Sequence, residues 1–254
     1  MTEDFSRVTL VVAAAGLGTR MGNQLLPKCL VPFKGRQLID WSTCAFMPFI
    51  NKMVIIIRKE QQLYFDDYCR KNQITNHIYV NQDEPKGTAS AVEIGLESVD
   101  SEWVLLVWGD HVGASQMPAL ELLTSMNNTS ADFILPVVQR EKPYVYFSSD
   151  SGAGSLTFHE TKLGAPVPNE GLSDCGVFLF KKLPVQNFLC KYLDKSKITT
   201  CEETNFLSLF EAMSKEGLVF HKVHFENQSL TYGINSVAEL AKLDQLFQFE
   251  AKSE

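Results

Sequence analysis

The first informative stretch of this chain is Val8 to Ala15, a continuous run of apolar and small residues that stops at Gly16. Successive side chains of a strand point to opposite faces of a sheet, so a strand apolar on both faces must be covered on both. Three further runs have this character: Val54–Ile57, Ile78–Val80 and Val104–Trp108, the last ending at Gly109–Asp110. Helical patterns occupy about residues 37–48, 60–71 and 88–98 between them. Buried strands alternating with helices predict an α/β fold, with a mostly parallel central sheet flanked by helices in a Rossmann-like three-layer arrangement. Right-handed crossovers place the loops that follow parallel strands on one edge of such a sheet, where ligands of open α/β sheets bind. The loops after Ala15 and Trp108 therefore open on the same edge.

The second half reads differently. Phe133–Val138, Leu156–His159, Gly176–Phe180 and about 218–225 are expected strands, and about 184–194, 203–216 and 236–250 expected helices. The stretch 148–154 is polar and contains glycine, and the aromatic run Tyr144–Phe147 suits either a core strand or the wall of a pocket. With no linker, repeat or low-complexity tract, one domain over residues 1–254 is the economical reading.

Composition narrows the class. The chain is 45% hydrophobic and 21% charged, which suits a folded globular protein. Its formal charge of −7 and lack of a basic run argue against a nucleic-acid partner, because that affinity comes from cations on backbone phosphates. Small anions remain possible ligands, since a few local cations and amides suffice for them. The six cysteines include no Cys-x-x-Cys pair, so reduced thiols are expected rather than a zinc ribbon or disulfide framework. No apolar stretch approaches the ~18 residues of a membrane span. The polar, acidic start at Met1–Asp4 is unlike a signal peptide, so a cytoplasmic location is expected.

The densest signal is Ala13-Ala14-Ala15-Gly16-Leu17-Gly18-Thr19-Arg20-Met21-Gly22, with Leu26-Pro27-Lys28 downstream. Small residues let backbone amides approach an anion closely. Arg20 adds a fork that matches phosphate oxygens, and Lys28 a second cation on the same side of the sheet. A dinucleotide fingerprint would need glycine where Met21 stands, and no Gly-Lys-Ser/Thr triplet completes a Walker loop.

These residues resemble the nucleotide-sugar pyrophosphorylase superfamily of nucleotidyltransferases, which has a glycosyltransferase-A-like fold. The closest resemblance is to the uridylyltransferase domain that activates N-acetylglucosamine 1-phosphate. Besides the first loop, the matching segments are Asn81–Ala89, Trp108-Gly109-Asp110 and Tyr232-Gly233-Ile234-Asn235, in family order along almost the whole chain. The resemblance implies that Ala14, Ala15, Gly16, Gly18 and Thr19 hold a triphosphate, with Arg20 at its β/γ end and Lys28 near the α-phosphate. It implies that Gln82, Gly87 and Thr88 face the base, that Asp110 and Asn235 hold Mg²⁺, and that Glu160 and Asp174 contact the acceptor. Residues about 1–112 then form the nucleotide half and about 113–254 the acceptor half. Two departures fall on the acceptor side: Tyr146-Phe147-Ser148 stands where the family has Tyr-Gly-Arg, and Asp174-Cys175-Gly176 where it has Asn-Thr-Gly. The hexapeptide-repeat acetyltransferase part of two-activity relatives has no counterpart, so one activity is expected.

The implied reaction is NMP transfer from an NTP, UTP favoured, to a sugar 1-phosphate, with release of pyrophosphate. A phosphomonoester is largely a dianion near neutral pH and attacks without a general base. Catalysis then reduces to aligning anions and neutralising charge, which suits Arg20, Lys28, Asp110 and a divalent ion and needs no nucleophile constellation. Cys175 reads as a packed residue, His111 as a loop histidine, and His221 and His224, three apart on a strand, as pointing to opposite faces. Rival readings are cytidylyl transfer to a polyol, choline or phosphonate-type acceptor, a catalytically silent nucleotide-binding regulator, and, weakly, a Rossmann dehydrogenase.

Overall fold

The computed structural model describes residues 5–16, 18, 21, 26–84, 86–148, 156–160, 164–196 and 203–246. In chain order it begins with β1 (Val8–Ala13), the short hairpin β2 (Pro32–Phe33) and β3 (Arg36–Gln37), and α1 (Leu38–Thr43). Then come β4 (Met53–Ile57), α2 (Gln62–Lys71), β5 (His77–Asn81), α3 (Thr88–Glu97), β6 (Trp103–Trp108) and α4 (Ala119–Thr124). The second half holds β7 (Phe133–Glu141), β8 (Val145–Ser148), β9 (Thr157–Glu160), β10 (Glu170–Asp174) and β11 (Val177–Lys181). It closes with α5 (Lys182–Ser196), α6 (Phe210–Lys215), β12 (Phe220–Phe225) and α7 (Val237–Leu246).

The sheet runs β5-β4-β1-β6-β11-β7-β10-β8-β9, with β12 added on β7. Its first four strands are parallel. Every residue of β4 is buried, as are β1 and β6 except for their last residues, as two-sided apolar character predicts. β5, expected to be covered on both faces, is instead the edge strand and leaves Ile78 and Asn81 exposed, because only β4 flanks it. Leu10, Val12, Ile55, Leu105 and Val107 pack against Phe46, Phe65 and Tyr68 on one face. Val11, Val54, Ile56 and Leu106 pack against Val92, Leu96, Leu189 and Phe210 on the other. Each fully buried side chain of this size contributes about 1.5–3 kcal/mol. The expected three-layer α/β architecture is what these residues build.

The other half of the sheet is mixed, and one interruption explains how it branches. β10 and β11 form a single run broken at Cys175–Gly176; β10 pairs antiparallel with β7 and β8, whereas β11 pairs antiparallel with β6 and β7. Gly176 adopts φ +63°, and a Cβ there would lie 2.3 Å from His111 Nδ1, so no other residue fits. β7 runs parallel to β6, because Phe180 of β11 pairs with Val104 on one side and with Phe133 on the other.

Several boundaries differ from expectation. β10 is polar and contains Gly171, so it carries no apolar run to betray it; its pairing with β7 comes from position in the sheet. The Tyr144–Phe147 run proves to be mostly strand: β8 buries Val145 and Phe147 and leaves Tyr146 half buried. α1 ends at Thr43 and passes into turns, and the segment expected to be helical from about 203 is extended until the single turn Leu207–Leu209 that leads into α6. No helix among the described residues is long and apolar enough to cross a membrane.

Candidate active site

Along the edge where the parallel strands end lies a cleft of about 980 Å³. Ala13–Gly16 and Gly18 after β1, Gln82 after β5, Gly87 and Thr88 at the start of α3, and Trp108 and Asp110 at the end of β6 line one part. Arg140, Tyr144, Val145, Glu160 and the segment Thr231–Gly233 line the other. Ala14, Ala15, Gly16, Gly18, Lys28, Gln82, Gly87, Thr88, Asp110, Glu160 and Asn235 thus meet in one cavity. Thr19 and Arg20 lie outside the described residues.

At the centre, Lys28 bridges two oxygens drawn from distant parts of the chain. Its Nζ pairs with Asp110 Oδ2 and donates to Asn235 Oδ1 at 3.2 Å. Local structure accounts for each position. Lys28 opens a single helical turn fixed by Leu30 N donating to Pro27 O at 2.9 Å, and its stem packs on Gly18, where a Cβ would approach Lys28 Cβ to 3.0 Å. Asp110 stands two residues past the end of β6, with Gly109 N donating to Ala13 O, so the ends of β1 and β6 are tied together. Asn235 is brought in by backbone bonds from Ile234 N to Asp110 O at 3.0 Å and from Gly113 N to Tyr232 O at 2.9 Å. Ser236, not Asn235, caps α7: it accepts from Glu239 N at 3.2 Å while Glu239 accepts from Asn235 N at 2.5 Å. The Asn235 side chain is therefore left to face Lys28.

Two hard oxygens converging on one cationic group suit a divalent ion such as Mg²⁺, whose remaining ligands are commonly waters and phosphate oxygens. The described residues contain no cluster of three or more His, Cys, Asp or Glu, so a closed all-protein metal cage has no support among them.

The corner opposite is shaped by Gly87. It stands at φ +90°, and a Cβ would lie 2.4 Å from Thr204 O. Gln82 donates to Gly87 O at 3.0 Å, Ala89 N donates to Thr204 O at 3.0 Å, and Phe206 N donates to Thr88 Oγ1 at 2.8 Å. Residues 203–206 of the second half thereby close the Gly87–Thr88 corner. Trp108 stands in the cleft floor, edge-on to Phe178 and Phe206.

On the other side, Glu160 faces the cleft, whereas Asp174 does not line it. Asp174 Oδ1 accepts from Gly176 N at 2.8 Å, and burial raises its carboxyl above the usual range against the pull of His111. His111 is buried, its Nε2 hydrogen-bonded to Leu230 O at 2.8 Å; burial pushes its imidazole down, opposed by that bond and by the carboxylates of Asp174 and Asp110. His111 lines the cleft, and Asp174 supports it from outside the lining. Tyr144 is half exposed at the cleft, and partial desolvation, then Asp174 and Asp110, push its hydroxyl up to about 12. Cys175 is fully buried and its thiol is raised by that burial, which fits a packed residue. His221 and His224 are exposed on β12 at odd spacing.

The sequence reading did not single out Arg140, Glu203–Asn205, Glu239 or Lys242, which also line the cleft. Ser236-Val-Ala-Glu239 carried a capping-box signature that would have found Glu239. Arg140 had only its place at a strand end, and residues 203–205 had none.

A family model described as a MobA-like NTP transferase domain matches residues 10–165, more than half of the chain. The chain is 23% identical over 257 residues to the bifunctional protein GlmU of Acinetobacter baumannii (strain AYE), covering 97% of this chain and 53% of that protein. It thus spans about half the length of the curated relatives it matches. Among solved structures, the inositol-1-phosphate CTP transferase from T. maritima shares the fold with a TM-score of 0.72 at 18% identity, over 95% of this chain and 94% of that one. The nucleoside-diphosphate-sugar pyrophosphorylase from Vibrio cholerae RC9 does so with a TM-score of 0.70 at 16% identity, over 92% and 99%.

Proposed function

The chain belongs to the MobA-like NTP transferase domain family, a nucleotidyltransferase family, and we propose that it transfers NMP from an NTP, UTP favoured, to a sugar 1-phosphate with release of pyrophosphate. The observation that carries this reading is Lys28 held between Asp110 and Asn235 at the centre of the cleft, with the glycine-bearing loop after β1 on one side. Residues 1–254 act as one domain, about 1–112 supplying most of the nucleotide side and about 113–254 the acceptor side plus Asn235.

In this reading the triphosphate lies on the backbone of Ala14–Gly16, Gly18 and Thr19, with Arg20 at its β/γ end. Gln82, Gly87 and Thr88 face the base. A phosphate oxygen of the acceptor forms a bond to the α-phosphorus, and the bond from that phosphorus to the bridging oxygen breaks, its electron pair leaving on pyrophosphate. Lys28 stabilises charge on the α-phosphate, an effect worth most in a partly desolvated cleft. Asp110 and Asn235 would hold Mg²⁺, which when bound neutralises phosphate charge. Glu160 orients the acceptor, and Asp174 acts from behind the wall through His111 and Gly176.

The test is pyrophosphate release from UTP and N-acetylglucosamine 1-phosphate with Mg²⁺. Asp110→Ala is expected to lower the rate by about 10²-fold or more. Full activity in that variant would end the assignment. A second reading, cytidylyl transfer to a polyol, choline or phosphonate-type acceptor, draws support from Phe147. It is buried and stacked on Phe210 at 5.9 Å, where the resembled family carries glycine. Turnover compared across UTP, CTP and dTTP separates the two, and a clear CTP preference selects the second.

A further inference from the structure

We propose that Arg140 is the residue that grips the acceptor by its phosphate. This deepens the nucleotidyl-transfer reading and rests on it for the identity of the second ligand, but the anion site itself is carried by separate observations.

Arg140 lies near the end of β7. Phe133 and Val104 share Phe180 as partner, so Val137 is level with Trp108 and Arg140 stands three residues beyond, on the edge that Gly109–Asp110 opens. It lines the cleft. Its guanidinium is held in one orientation: Nη1 donates to Thr231 Oγ1 at 2.8 Å, and the carbon of the fork sits 5.8 Å from the centre of the Tyr232 ring. Thr231 donates its own proton to Gln228 O at 2.8 Å, so an oxygen lone pair must face Arg140. Among the described residues Arg140 forms no ion pair. A half-buried cation that is oriented yet has no ion-pair partner among the described residues, Asp174 feeling it only through space, is arranged for an anion that arrives from outside.

Position selects which anion. The glycine-bearing loop follows β1, on one side of β6; β7 lies on the other side, beyond β11. An in-line displacement brings the attacking group from the side opposite the leaving pyrophosphate. With the triphosphate on the β1 side, the attacking group enters from the β7 side. Lys28 serves the α-phosphate of the nucleotide in the reading above, leaving Arg140 to receive the second dianion and relieve its repulsion by the first. The planar fork, with only one Nη1 donor given to Thr231, matches phosphate oxygens better than a hydroxyl acceptor.

The experiment titrates inorganic phosphate and N-acetylglucosamine 1-phosphate into the intact chain by calorimetry, with and without Mg²⁺ and α,β-imido-UTP. Arg140→Gln is expected to weaken both phosphates about tenfold or more and to leave nucleotide affinity within about twofold. Arg140→Lys should fall between, and Thr231→Val, which keeps the charge but frees its orientation, should weaken phosphate with the fold intact. N-acetylglucosamine itself should not respond to any of the three. Equal phosphate affinity in Arg140→Gln and the parent, or no phosphate binding by the parent, overturns the proposal. Arg140-dependent phosphate binding without any nucleotide binding would sink the nucleotidyl-transfer reading while leaving the anion site standing.

Discussion

Replacing Gly87 with alanine tests how the nucleotide corner is built. Gly87 combines φ +90° with ψ 178°, a region open in practice to glycine alone. The added methyl would meet Thr204 O at 2.4 Å and Thr204 N at 2.6 Å, both backbone atoms that cannot rotate away. Forcing the backbone there costs about 1–3 kcal/mol. Displacing Thr204 strains the bonds from Ala89 N to Thr204 O and from Thr204 N to Lys86 O, each worth about 0.5–1.5 kcal/mol. The total, about 4 kcal/mol, is within what a domain of ordinary stability survives. At this chain length it lowers the melting temperature by about 8–16 °C. Because Gln82 and Thr88 are anchored to the same corner, UTP affinity measured by calorimetry should also fall, by about tenfold or more. Gly16→Ala is the control: its methyl would meet nothing within 4 Å, so stability should hold within about 0.5 kcal/mol while UTP binding weakens, the methyl entering space proposed for the triphosphate. A Gly87→Ala protein that melts with the parent and binds UTP equally well refutes this account of the corner.

Lys28→Met should cut the steady-state rate of pyrophosphate release by about 10²–10³-fold, whereas Lys52→Met, at an exposed pair with Asp100, should leave it unchanged. Phe133→Ala should shift a urea midpoint by the equivalent of about 3–5 kcal/mol, since this fully buried ring packs on Phe210 and Phe220 at 4.8 Å and Phe180 at 5.2 Å. Maleimide labelling of the native protein followed by peptide mass analysis should find Cys190 modified before Cys29 and Cys175, which stay protected. Both are buried, and burial holds their thiols protonated.

Much of this protein could be read before folding was considered. The apolar runs of β1, β4 and β6 needed cover on both faces, and that alone implied the parallel layer and the edge on which the loops after Ala15 and Trp108 open. Local patterns carry such information because strand and helix periodicities are properties of neighbouring residues. The first loop was legible from its small residues and cations, and the segment before Asn235 only through the family resemblance. What only the tertiary structure decided is which distant groups share a point. Asn235 reaches Lys28 through hydrogen bonds between the segments around residues 110 and 234, and Arg140 becomes a cleft residue because β7 runs level with β6 and overshoots it. Asp174 is turned from the cleft by a bend that Gly176 permits and His111 fills. Such placements depend on strand order and register, which no window of sequence contains.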